Sequence, residues 1–348
     1  MKNYLKTWIL PIGCGIAAAV LVSCSTSNRL SEVRFPASMK DAKAVGSKAC
    51  AECHSDVCKD FGHNIHSRIA KFEIAVNGVT REGCEACHGP GSKHVESGGD
   101  TSSILNPAKL EGMESAALCI QCHASGETLE WHSSVHSMQD MACVSCHTVH
   151  HEKDDLTNRE MVWGYKRKYT KDAGLKKPEP ELCFDCHNSV RVQTNYPNHH
   201  PIKEGKLVCS DCHNPHGTQT RPMLRVEDRK SELCLSCHME YTGPYAFEHA
   251  PVMEDCSICH NPHGAVSDNL LKQQEPFLCL QCHQLHFHTS FRPNTDALPS
   301  TYKFRTGVPS DHSMQTAMMT RCTQCHSMVH GSDLPSLYAP GGGSRLTR

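Results

Sequence analysis

Aromatic side chains are scarce in this chain, 6% of its 348 residues, and only 38% of it is apolar. Side chains alone are therefore too thin a filling for the interior that a chain of this length would close around. A charge excess of one sign is missing as well. The formal net charge is −2, from 35 basic and 37 acidic residues, which excludes the basic stripe that nucleic acid attracts. The runs Lys166-Arg167-Lys168 and Lys176-Lys177 are local exceptions and read as solvated faces. Long hydrophobic runs are absent too: the one substantial stretch, Trp8 to Val22, falls short of the ~20 residues of a membrane-spanning helix.

That stretch follows Lys2 and Lys6 and ends in Leu21-Val22-Ser23-Cys24. A basic start, an apolar middle and such an end make residues 1–23 an export signal, and the tetrapeptide reads as a lipobox whose Cys24 would be acylated. Ser25 follows in place of an acidic residue. The expectation is an exported lipoprotein of the outer membrane, held on its periplasmic side or spanning inside a porin.

Cysteine and histidine are what the chain has in abundance, 23 and 26 of them. Ten Cys-x-x-Cys-His motifs begin at Cys50, Cys84, Cys119, Cys143, Cys183, Cys209, Cys234, Cys256, Cys279 and Cys322. Chance predicts roughly 0.1 for this composition. Two thiols one short turn apart can form thioethers to two edges of one porphyrin, and the adjacent His reaches its iron. The second cysteines are Cys53, Cys87, Cys122, Cys146, Cys186, Cys212, Cys237, Cys259, Cys282 and Cys325. The proximal ligands are His54, His88, His123, His147, His187, His213, His238, His260, His283 and His326. Zinc ribbons and disulfide frameworks also use paired cysteines, but neither requires a His directly after every pair. Ten covalent c-type haems are the expected cofactors, and they supply the apolar interior that the side chains lack. Beyond the motifs only Cys14, Cys24 and Cys58 remain; Cys58 reads as a haem-adjacent free thiol.

Ten proximal ligands leave 16 histidines, enough for a second imidazole on every iron. The expected distal set is His66, His94, His136, His150, His200, His216, His249, His263, His288 and His330. Its rivals are His63, His132, His151, His199, His286 and His312. In the His-x-x-His pairs four consecutive residues cannot reach both faces of one macrocycle, so His216 and His263 should serve haems other than those of His213 and His260. Iron closed by two imidazoles suits electron transfer at low potential and leaves no position for substrate. The Cys-x-x-Cys-Lys variant that often marks an open iron in multihaem reductases is absent.

A two-haem module recurs: Leu-Cys-x-x-Cys-His, a His, then Cys-x-x-Cys-His-x-x-His. It occupies Leu118–His123 with His136–His150, Leu182–His187 with His200–His216, and Leu233–His238 with His249–His263. Repeats of this kind stack linearly. The expected fold is a multihaem cytochrome c, with short helices and loops wrapped around a linear chain of haems, little or no sheet, and an elongated form. Residues 24–47 read as a polar linker, 48–334 as the decahaem domain and 335–348 as a flexible tail.

The chain resembles the decahaem MtrA/DmsE family from Gly46 onward. The likeness is strongest in Cys84 to Pro90, Cys209 to Gly217, Phe247 to Val252, Cys256 to Gly264 and Cys322 to Ser332. The resemblance implies a wire inside an outer-membrane β-barrel porin, between periplasmic or inner-membrane cytochromes as donors and an extracellular multihaem cytochrome or reductase. It departs from the family at Cys24, since the best-known members carry no lipid. A lipid-anchored carrier that docks on a terminal reductase is the alternative, and a multihaem reductase with an open haem is the second.

Overall fold

The computed structural model describes residues 35–62, 64–70, 74–76, 79–150, 161–162, 165–166, 174–226, 228–283, 321–324, 326–333 and 346. The export signal, Cys24, His63, His151, His286, His288, His312 and Cys325 lie outside them.

Each motif is closed by one α-turn. The amide of the motif His donates to the carbonyl of the first cysteine at 2.9–3.0 Å in all ten copies, a spacing that brings both sulfurs and the imidazole to one side of the backbone. Longer helices are not needed, and the longest described spans Gly112–Ile120. The helices are α1 (Ser47–Ala51), α2 (Ser55–Phe61), α3 (Glu85–His88), α4 (Ser92–Glu96), α5 (Gly112–Ile120), α6 (Val135–Met138), α7 (Cys143–Cys146), α8 (Glu179–Phe184), α9 (Asn188–Gln193), α10 (Lys230–Leu235) and α11 (Ala250–Glu254). Of these, α5, α8 and α10 each deliver a Leu-Cys pair at the C-terminal turn. Among the described residues sheet is confined to two antiparallel hairpins, β1 (Ile74–Val76) with β2 (Val79–Arg81) and β3 (Met161–Val162) with β4 (Tyr165–Lys166).

The chain forms two compact units. One comprises residues 1–128 with 137–153, the other 129–136 with 154–348. In the first, the stretch read as linker is partly built into the fold. Met39 is 4% exposed, Phe35 and Met39 approach Gly89, and the amides of Val45 and Gly46 donate to the Glu85 carboxylate at 3.0 and 2.9 Å. Apolar Phe35 and Met39 find a seat because Gly89, at φ +72°, carries no side chain there. In the second, Leu346 of the tail is 9% exposed and its carbonyl accepts from the Met328 amide at 3.0 Å. That residue is packed where a flexible tail was expected.

The second unit repeats itself. Residues 208–225 and 255–272 both hold a motif His in an isolated bridge, His213 with Leu224 and His260 with Leu271. Two further bridges join segments that precede a candidate distal ligand to the end of a later motif: Asn198 with Ala265, and Phe247 with Ser332. Gly264, at φ +155°, lies so close to the Gln193 carbonyl that a Cβ would collide with it. The chain passes there only as glycine.

The described apolar core is small: Met39, Leu105, Ala116, Trp131, Ala142, Ile202, Val208, Ala265 and Leu346. Meanwhile Ile65, beside His66, is 69% exposed and Met239, beside His238, is 72% exposed. Apolar groups face outward where the candidate ligands stand, as they should if a flat apolar group covers them.

Candidate haem sites

The α-turn motifs place proximal imidazoles opposite distal ones pair by pair. Ring centroids of His54 and His94 are 6.3 Å apart, His66 and His123 5.8 Å, and His88 and His150 6.0 Å. In the second unit His136 and His187 are 6.2 Å apart, His200 and His238 6.2 Å, and His213 and His263 6.0 Å. His249 and His283 are 6.1 Å apart, as are His260 and His330. With metal–nitrogen bonds of about 2.0 Å, two imidazoles on one metal set their centroids roughly 6 Å apart. The spacing therefore fits one iron between each pair.

The second ring nitrogen is tied back, as ligand imidazoles require. Nδ1 of His88 donates to the Leu105 carbonyl at 2.8 Å, that of His94 to Asp100 at 2.9 Å, that of His213 to Pro222 at 2.9 Å and that of His260 to Asn269 at 2.7 Å. His66 and His216 use Asn64 and Asn214 side chains instead, at 2.9 and 3.1 Å. These bonds turn Nε2 toward the facing ring. His216 also lies against Trp131, with centroids 6.3 Å apart.

Three distal candidates are held by the residue directly before another distal candidate. His136 donates to Pro215, ahead of His216, at 2.8 Å; His200 to Pro262, ahead of His263, at 2.6 Å; His249 to Val329, ahead of His330, at 3.0 Å. In the first unit Asn64 performs the same duty toward Val149, ahead of His150, at 3.1 Å. Burial, assisted by the facing imidazole, lowers the pKa of His66, His150, His263 and His330, which favours the neutral ring that binds metal.

The cysteines pair as regularly. Side-chain contacts join Cys50 to Cys84, Cys119 to Cys143, Cys183 to Cys209, Cys234 to Cys256 and Cys279 to Cys322. These are the first cysteines of motifs one and two, three and four, and so on to ten. As free thiols, Cys50 and Cys234 are pushed up to about 11, and Cys279 to about 12, by burial and by the facing thiol. Cys58 also touches Cys84, and burial raises its thiol. It lines a pocket with Val57, Phe61, Cys84, Cys87, His88 and His150.

His199 sits apart from this scheme. Its Nδ1 bonds the Tyr196 carbonyl at 2.6 Å and its Nε2 the Glu204 carboxylate at 3.1 Å, so neither nitrogen is free for iron. His200→Ala is accordingly expected to turn about a tenth of the haem population high-spin, and His199→Ala to leave the spectrum low-spin; absorbance near the ligand-field bands checks both.

The Asn64, Asn214 and Asn261 supports were not anticipated from sequence. Their signal is an Asn two residues ahead of a distal candidate, in Asn64-Ile65-His66, Asn214-Pro215-His216 and Asn261-Pro262-His263. The His263 amide donates to the Asn261 side chain at 3.4 Å.

Paired sulfurs beside facing imidazoles, repeated along a chain with so little core of its own, define a multihaem c-type cytochrome. A doubled CXXCH motif model matches residues 199–243 and 249–286, and a cytochrome c-type protein NrfB-like model matches residues 84–162. The multiheme cytochrome MtrA of Shewanella baltica is 36% identical over 84% of this chain and 80% of its own length. The C-type polyheme cytochrome OmcB of Geobacter sulfurreducens is 24% identical over 70% of this chain and 31% of its own. An undecaheme cytochrome from the S-layer of Carboxydothermus ferrireducens shares 19% identity over 64% of this chain and 34% of that one, at a TM-score of 0.13, and carries no argument. The chain belongs to the MtrA family of multihaem cytochromes. It binds c-type haems covalently and transfers electrons.

Proposed function

We propose that the protein is a decahaem electron conduit of the outer membrane, enclosed by a β-barrel porin and anchored through acylated Cys24. It links periplasmic or inner-membrane donor cytochromes to an extracellular multihaem cytochrome or reductase. When bound, haem supplies the one-electron ferric/ferrous couple. The polypeptide supplies spacing, ligands and insulation.

The observation that carries this reading is the alternation of two kinds of link along the sequence. First-cysteine contacts join motifs within a pair. Hydrogen bonds between distal segments join one pair to the next, as His200 to Pro262 and His249 to Val329 do. Such links favour haems that follow one another in motif order, as a wire needs. All ten irons are assigned two imidazoles, with the eight facing pairs as axial sets. His216 and His288 complete the distal set for the remaining motifs. The relationship to MtrA supports the placement in a conduit. No helix among the described residues is long and apolar enough to cross a membrane, so on this reading the barrel provides the passage.

Native purification in mild detergent should recover the chain with a β-barrel protein, and the mass of the holoprotein should exceed that of the acylated polypeptide by ten haems. Recovery as a monodisperse monomer, with all haems in place, would assign it instead to the lipid-anchored carriers. Far fewer than ten haems would remove the conduit reading altogether.

A further inference from the structure

Two of the five cysteine pairs carry a carboxylate against their sulfurs. In the segments Glu179-Pro180-Glu181-Leu182-Cys183 and Glu275-Pro276-Phe277-Leu278-Cys279 a glutamate stands four residues ahead of the first cysteine. One carboxylate oxygen of Glu179 and the sulfurs of Cys183 and Cys209 all lie within 4.8 Å of one another, and the same holds for Glu275 with Cys279 and Cys322. Each glutamate clips the second motif of its pair. Glu179 accepts from the Ser210 amide at 2.5 Å and the Ser210 hydroxyl at 2.8 Å; Glu275 accepts from the Thr323 amide and hydroxyl, both at 2.9 Å.

Serines stand beside the other three pairs. Ser47 and Ser231, three residues ahead of Cys50 and Cys234, accept from the Cys84 amide at 3.3 Å and the Cys256 amide at 3.2 Å, while Ser115, four residues ahead of Cys119, is buried with its hydroxyl unbonded. An uncharged clip therefore serves two of these three pairs. In the other pairs the acids near the sulfurs are compensated: Asp255 pairs with Lys230 at 3.4 Å, and Glu85 is shared among the amides of Val45, Gly46 and Gly91. Among the described residues no cation pairs with Glu179 or Glu275. Glu179 is 8% exposed, so water screens its charge poorly.

We propose that Glu179 and Glu275, each set against the sulfurs of two successive motifs, are potential-setting residues that make the fifth and sixth and the ninth and tenth haems easier to oxidise than those of the other three pairs. The physical reason is sign. Once the sulfurs are thioethers, one fixed negative charge lies at the edge of two macrocycles and favours the more positive, ferric state of both. The wire then carries a charge-made unevenness in potential, written in an Glu-Pro-x-Leu-Cys segment. This rests on the decahaem reading above.

The test is spectroelectrochemical titration of the purified holoprotein with Glu179→Gln, which keeps an acceptor for the Ser210 amide and removes only the charge. Two of the ten one-electron components are expected to move upward, with the ferrous-to-ferric ratio at fixed poise rising about tenfold, or about 59 mV for a one-electron couple. Glu275→Gln should move two different components, Glu179→Asp should restore most of the wild-type curve, and Glu96→Gln, at an exposed site, should move none. Unshifted components in both glutamine variants, with all haems attached and low-spin, would overturn the proposal. Should Glu179→Gln lose haem, Glu275→Gln and Glu179→Asp decide it in the same way. A wild-type protein with fewer than ten haems would count against the decahaem reading instead.

Discussion

Replacing His263 with methionine is expected to slow electron transit along the protein roughly a thousandfold while leaving every haem attached. The His263 ring faces His213 at 6.0 Å and is largely buried among His187, His200 and His213. Thioether in place of imidazole raises the potential of an iron, and axial ligation spans about 0.8 V overall. A rise of ~0.2 V at ~59 mV per tenfold makes one site a trap from which escape is ~10³-fold slower. In a single file no parallel route bypasses the sixth motif. On the proposed conduit reading, flux across vesicles reconstituted with the protein and its barrel, compared with a redox titration of the same preparation, measures both halves of the claim. A raised potential with unchanged flux would mean that electrons pass around the sixth motif, and the single-file order would fall. His199→Ala is the matching control, because its ring is committed to Tyr196 and Glu204.

Much of this was legible from residue type and spacing because haem attachment is local chemistry. A Cys-x-x-Cys-His pentapeptide closes one α-turn whatever surrounds it, and all ten copies do so. The two-haem module was legible too, since its halves are near in sequence, and the contact between Cys234 and Cys256 is the physical form of that repeat. Which histidine faces which was less legible. His66 faces His123, 57 positions on, across the intervening second motif, and His94 faces back to His54. Nothing in local spacing encodes such crossings; they follow from distal segments docking on motifs both before and after them. The rivalry between His199 and His200 likewise needed the Glu204 carboxylate, supplied by a turn four residues beyond His200. The packed part of the apparent linker escaped notice because its composition is polar, and only Phe35 and Met39 find a seat at Gly89.

Blocking haem attachment should abolish the fold rather than weaken it. Nine apolar side chains form the described core, from Met39 to Leu346, three of them alanine, and each of the larger six contributes about 1.5–3 kcal/mol when buried. Ordering a residue's backbone costs about 1–2 kcal/mol, so such a core offsets the ordering of about twenty residues at most. Hydrogen bonds do not close the difference, because unfolded groups bond to water and the net contribution of each is about 0.5–1.5 kcal/mol. What remains is the apolar surface of the haems and their thioethers, together with the proposed axial pairs, which would tie segments as distant as His249 and His283. A chain carrying Cys→Ala at all twenty motif cysteines, exported and purified, is therefore expected to show the circular dichroism of an unfolded polypeptide, rapid amide exchange throughout and no cooperative melting. Substitution in the ninth motif alone, at Cys279 and Cys282, should loosen what that site ties, the segments around His249 and His283, and leave the first unit intact. Native-like dichroism and a cooperative melt in the chain without attached haem would show that the polypeptide holds itself together, and would require a core that these nine side chains do not provide.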